Sequence, residues 1–157
     1  MIIDDALRDI RRLYIDTSPL IYYIEVNSTY IARMDAVFEI IRQRPIQAIC
    51  SIITLAEVLP VPLRVGDTIL VQAYRDILLT SQEFECLPLN QRMATRAAEL
   101  RARYNLKTPD ALHVATALET GCDAFLTNDV GIKRISEIHV LVLDELELNP
   151  PPEKQTS

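Results

Sequence analysis

Short apolar, β-branched runs alternate with longer stretches of helical periodicity along almost the whole chain. Strands separated by helices pair parallel, because the crossover helix returns the chain to the starting end of the sheet. The pattern predicts strands at 12–16, 47–51, 84–89, 124–127 and 139–143, and helices at 18–26, 28–43, 52–59, 66–82, 90–104, 108–120 and 130–135. The fold class expected from this order is α/β, built on a parallel sheet. Within 90–104, Met93, Ala97, Leu100 and Tyr104 draw a single apolar stripe, and the arginines fall off it.

The 157 residues suit one domain with a substantial core, and 49% hydrophobic content is that of a globular chain. The Pro-rich stretch 60–67 (P-V-P-L-R-V-G-D) reads as a loop that breaks one helix from the next and exposes Leu63 and Val65. The tail 149–157 (N-P-P-P-E-K-Q-T-S) is expected to be disordered, since its prolines exclude both helix and central strand. Ile2, Ile3, Ala6, Leu7 and Ile10 predict a short packing helix in an N-terminal extension, residues 1–12, ahead of a main domain at 13–148. No stretch is long and uncharged enough to span a bilayer, and the start M-I-I-D-D lacks the basic and apolar parts of a signal peptide. A cytoplasmic location with no membrane partner is the expectation. Cys50, Cys86 and Cys122 are odd in number and widely spaced, which fits small buried hydrophobes better than disulfides or a zinc site.

Where an open parallel sheet binds ligands, it does so beyond the carboxyl ends of its strands. Four acids fall at such places. Asp16 ends the first strand in L-Y-I-D-T-S-P, where Ser18-Pro19 offers a helix cap and first position and so leaves Asp16 spare. Glu57, in S-I-I-T-L-A-E-V-L-P, has a rival reading as a capping box with Thr54, but that box would start a helix only five residues before Pro60. With Ser51 as the cap, Glu57 becomes a lone acid in an apolar helix, costly unless paired or metal-bound. Asp110 stands at the mouth of the apolar helix in K-T-P-D-A-L-H-V-A-T-A, where Thr108 and Pro109 already supply cap and first position. Its rival role is a favourable interaction with the helix dipole. Asp129, in T-N-D-V-G, could equally be a turn residue.

Gathered at one sheet edge, these acids would repel one another strongly unless a cation held them. An all-oxygen set suits Mg²⁺ or Mn²⁺. Two such ions about 3.5–4 Å apart clamp the attacking and leaving oxygens of an in-line displacement, so the implied reaction class is metal-assisted phosphodiester hydrolysis.

The stretches D-T-S-P-L-I-Y-Y-I-E, T-L-A-E-V-L, T-P-D-A-L-H-V-A-T-A and L-T-N-D resemble the PIN-domain nucleases, and among them the VapC-type ribonuclease toxins of toxin–antitoxin pairs. The resemblance runs from Leu13 to Leu143, in family order and at family-like spacing. It implies a three-layer α/β/α sandwich around a mostly parallel five-stranded sheet, and Mg²⁺- or Mn²⁺-dependent endoribonuclease activity. By the same resemblance Asp16, Glu57, Asp110 and Asp129 are the family acids and metal ligands, Thr127 is the small hydroxyl residue beside the fourth acid, and a homodimer and a small antitoxin protein are the expected partners. PIN domains also serve RNA processing and decay, and a degenerate member could act as a binding scaffold.

A net charge of −6 argues against a non-specific nucleic-acid coat protein. Within 92–107, however, Arg92, Arg96, Arg101, Arg103 and Lys107 meet only Glu99, a local net of +4. Directly ahead of Asp110, this run is either a solvated helix face or a contact for the RNA backbone, with Arg92, Arg96, Arg103 and Lys107 as its members. His113 shares a helix face with Asp110. In so apolar a helix it reads as a satisfied core residue, with ligand orientation as the rival. Tyr22 and Tyr23 could stack on bases or pack in the core. Ser18 and Asn128 already have adequate roles as cap and turn. A haloacid-dehalogenase-type phosphatase, which also begins with a strand-ending Asp, needs a second Asp where this chain has Ser18.

Overall fold

The computed structural model describes residues 1–153, so the disorder expected for 154–157 lies outside the described residues. The elements follow in the order α1 (Ile3–Ala6), β1 (Arg12–Ile15), α2 (Thr17–Ile24), α3 (Ile31–Gln43), β2 (Gln47–Ser51), α4 (Ile53–Val58), α5 (Pro60–Val65), α6 (Thr68–Arg75), β3 (Phe84–Leu87), α7 (Gln91–Tyr104), α8 (Thr108–Glu119), β4 (Ala124–Thr127) and β5 (His139–Val142). A wide π-helical turn at Asp76–Thr80 extends α6, and 3-10 turns occupy Val130–Arg134 and Leu143–Glu145.

All five strands are parallel, in the order β3-β2-β1-β4-β5. The chain builds outward from β1 to β3, then returns to place β4 on the other side of β1. The change of direction falls between β1 and β4, with Ile15 opposite Leu126, and this is where an open α/β sheet opens a crevice for ligands.

Side chains alternate across each strand, which sorts the sheet's residues between two cores. Leu13 and Ile15, Ala48 and Cys50, and Ala124 and Leu126 pack with residues of α1, α2 and α3 on one face. Tyr14, Ile49 and Phe125 pack with Ala97 and Leu100 of α7 and Val114 of α8 on the other. The result is the three-layer α/β/α sandwich. The stripe Met93, Ala97, Leu100 is buried as expected, and Cys50 is buried with all three thiols free.

One expectation is corrected. The stretch 60–67 is not a loop: α5 spans most of it, because Pro60 and Pro62 fall in a first turn that needs no intrahelical N–H. Gly66, at φ 72°, ends α5 in the left-handed conformation that glycine adopts most cheaply, and Asp67 then caps α6 by accepting from the Leu70 N–H. Leu63 and Val65 are exposed all the same, at 60% and 73%. Within residues 1–12 the expected short packing helix is present as α1: Ile3 and Leu7 are fully buried in the first core, and the Ile3 N–H donates to the Glu147 carbonyl at 3.0 Å. Among the described residues no helix is long and apolar enough to cross a membrane.

Candidate active site

The chain turns from β1 into α2 at once, so the residue leaving the strand is also the helix cap. That residue is Asp16. Its Oδ1 accepts from the Thr17 N–H at 2.9 Å and its Oδ2 from the Thr127 hydroxyl at 2.9 Å. Ser18 therefore does not cap α2, and Asp16 is not spare. It caps and faces the crevice together.

Glu57 lies in the last turn of α4. The capping box with Thr54 does not form: Thr54 is fully buried and its hydroxyl lies 3.2 Å from that of Thr17. Ser51 instead accepts from the Ile53 N–H, at 3.2 Å, at the start of the helix. Glu57 Oε1 accepts from the Thr17 hydroxyl at 2.9 Å and lies 2.5 Å from His113 Nε2.

Asp110 belongs to the first turn of α8, half-buried, where the helix dipole favours an acid. Thr108 is itself the first helical residue and Lys107 occupies the cap position with no side-chain bond, so the expected Thr108 cap is absent. At the end of β4, the fully buried Thr127 ties the site together. Its hydroxyl donates to Asp16 and accepts from the Asp129 N–H at 3.1 Å. Asp129 Oδ1 accepts from the Gly131 N–H at 2.9 Å, so the turn reading of Asp129 also holds.

Burial, and then the charges of Asp16 and Asp129, push the Asp110 carboxyl above the usual carboxylate range. For Glu57, burial pushes upward but the hydrogen bonds from His113 and Thr17 outweigh it, and its carboxyl sits low. Burial pushes His113 down, yet Glu57 and Asp16 more than reverse that and raise it. The acids thus sense one another across four elements. His113, read from sequence as a core residue, is buried and also bonds Glu57, with Asp16 Oδ1 3.7 Å from its Nε2.

Thr17 and Tyr14 went unnoticed in the sequence. Thr17 bonds Asp16 through its N–H and Glu57 through its hydroxyl, and its position directly after the strand-ending acid was the one available signal. Tyr14 gave none.

Among the described residues no three carboxylate, histidine or cysteine side chains converge tightly enough to cage an ion alone. The donor set nonetheless fits Mg²⁺ or Mn²⁺. Mg²⁺ binds through one or two carboxylates and keeps its remaining places for water and phosphate. Glu57 Oε2, Asp129 Oδ2 and the Asp110 carboxylate have no protein donor among the described residues, whereas every oxygen tied down serves to orient its side chain.

The basic run is spread along α7. Lys107 stands three residues before Asp110, while Arg92 and Arg96 share a cleft with Glu119 at the far end of α8. At about 1.5 Å per helical residue, that end lies roughly 14 Å from Asp110. Arg103 is paired with Glu137, and Arg96 lies 3.7 Å from Glu99. Tyr22 stacks on Tyr30 at 4.2 Å and Tyr23 packs tilted by 34° against Phe38 at 4.2 Å, so both rings have partners within the chain. Asn128 joins the same side, donating to the Tyr22 hydroxyl at 3.3 Å.

The PIN domain family matches residues 13–138. The chain belongs to that family. Similar solved structures are VapBC2 from Rickettsia felis bound to a promoter DNA fragment (18% identity, 83% of this chain and 98% of that one, TM-score 0.65), a toxin–antitoxin complex from Klebsiella pneumoniae (24%, 83% and 97%, 0.61), and VapC20 from Mycobacterium tuberculosis, a toxin that cleaves the sarcin–ricin loop (15%, 81% and 98%, 0.63). No curated protein sequence matches the chain. At these identities the structures show a shared PIN fold.

Proposed function

We propose that this PIN domain is a Mg²⁺- or Mn²⁺-dependent endoribonuclease and the toxin of a VapBC-type toxin–antitoxin pair. The observation that carries this is the placement of Asp16, Glu57, Asp110 and Asp129 by four separate elements at the β1/β4 switch point, with Thr127 tying two of them together. A bound divalent ion would supply charge stabilisation for the phosphodiester and an activated water. Asp16 and Glu57 are oriented by Thr17 and Thr127, so little of their rotational freedom remains to be lost when an ion arrives. Asp110, its carboxyl raised by burial and then by the charges of Asp16 and Asp129, would be relieved by a nearby cation.

Expression of the intact chain in a bacterial host is the test of the biological role. Arrested growth with cleaved RNA, relieved by a co-expressed small antitoxin and absent for an acid-site variant, is expected. Normal growth with intact RNA would contradict it. A homodimer and an antitoxin complex are part of the same reading. They are supported by the exposed Val61, Leu63, Val65 and Ile69 of α5 and α6, and by the toxin–antitoxin complexes among the structural relatives.

Arg92, Arg96, Arg103 and Lys107 would hold the RNA backbone along α7. Removing Arg96 and Arg103 together is expected to weaken binding and to flatten its salt dependence by about one to two units of slope. Turnover at saturating RNA should survive, because uniform backbone contacts do not act on the transition state alone. Equilibrium binding across a salt series reads this directly. An unchanged slope would make the run a solvated helix face.

A further inference from the structure

We infer that His113, itself held by Tyr14, is the positioning residue of Glu57 and decides which Glu57 oxygen is left for the metal. The inference rests on the proposed metal site for its purpose, though not for its geometry.

Tyr14 is fully buried, stacked on Phe125 at 5.0 Å within the second core. A phenylalanine would fill that space without a hydroxyl to satisfy. A buried hydroxyl is costly unless bonded, and this one has His113 Nδ1 at 2.6 Å. Burial first, and then the charge of Asp16, push the Tyr14 phenol well above its usual range, so it keeps its proton. His113 is 1% exposed among Ala111, Val114 and Ala115, where a leucine would pack as well. Both ring nitrogens are nevertheless engaged, Nδ1 by Tyr14 and Nε2 by Glu57 Oε1 at 2.5 Å.

The same Oε1 accepts from Thr17. With two protein partners on Oε1, the lone pairs of Oε2 are those left without a protein donor among the described residues. Glu57 needs such help. It has three side-chain torsions and sits in the last turn of α4, a helix of six residues, so its backbone alone does not fix its carboxylate. Partners that orient a ligand in this way commonly change metal affinity by about 10- to 100-fold when removed.

The test combines calorimetry with Mn²⁺ and NMR of the metal-free protein. His113→Leu should bind Mn²⁺ about 10- to 100-fold more weakly than the wild type. His113→Gln, which keeps an N–H donor near the place of Nε2, should recover most of that loss. In long-range ¹H–¹⁵N spectra without metal, Tyr14→Phe should shift the Nδ1 resonance of His113 and Glu57→Gln should shift Nε2. Should His113→Leu not fold, His113→Gln and Tyr14→Phe carry the same comparison. Unchanged Mn²⁺ affinity in a folded His113→Leu, or ring resonances indifferent to both partner variants, would overturn the inference. Wild-type protein that binds no Mn²⁺ but shows both NMR responses would overturn the metal reading and leave the positioning of Glu57 standing.

Discussion

Asp110→Asn is expected to reduce metal-dependent RNA cleavage on the order of 10³-fold and to raise the melting temperature of the metal-free protein. Both effects have one cause. Asp110 is half-buried, and that burial, followed by the charges of Asp16 and Asp129, lifts its carboxyl above the usual range. The fold therefore favours the neutral form of this side chain. A raised carboxyl contributes stability below the unfolded carboxyl value, and loses it as pH climbs through the shifted folded value. At neutral pH the penalty is present in full, and asparagine removes it while keeping the shape. Calorimetric melting in EDTA at pH 7 should place the variant above the wild type, and the gap should close towards pH 4. A variant that melts lower at pH 7 would show that the Asp110 charge is stabilising and needs no cation.

Asp16→Ala should behave in the opposite way towards stability. Cleavage is again expected to fall by a factor on the order of 10³, but the fold should lose about 1–2 kcal/mol, because Asp16 caps α2 and accepts from Thr127. For a domain of this size that corresponds to a fall of roughly 2–8 °C in melting temperature. Asp16→Asn keeps only part of this, since its amide can accept from Thr17 through oxygen but presents nitrogen to Thr127. The simple expectation that neutralising any acid of the cluster relieves repulsion and stabilises the apo protein therefore holds for Asp110 and fails for Asp16. Chemical denaturation of the two variants in metal-free buffer separates them, and a stabilised Asp16→Ala would mean that its hydrogen bonds contribute little.

The sheet and its order of elements were legible because strand and helix periods differ and the alternation is regular. Even so, the predicted strands at 12–16 and 84–89 overran the observed Arg12–Ile15 and Phe84–Leu87. Residue type marks cap propensity, but it does not say where a chain leaves a strand. For that reason Ser18 and Thr108 looked like caps while Asp16 and the backbone of Lys107 hold those positions. The Pro-rich stretch misled in the same way, since two prolines in a first turn are as compatible with helix as with loop.

The acids were legible individually, as carboxylates at strand ends and in apolar helices. Their supports were not. Tyr14 and His113 lie 99 positions apart and Thr17 and Glu57 lie 40 apart. Such pairs leave no periodic trace in sequence, and His113 in particular carried the ordinary signature of a core residue. The sheet register brings them together.

The central claim is that this acid cluster binds a divalent ion in order to cut RNA, and cleavage by the purified chain tests it most directly. Labelled single-stranded RNA incubated with Mg²⁺ or Mn²⁺ should be cut internally, the reaction should stop on adding EDTA, and excess Mn²⁺ should restore it. Cleavage that persists in EDTA, or release of phosphate from small phosphomonoesters with the RNA left intact, would contradict the account.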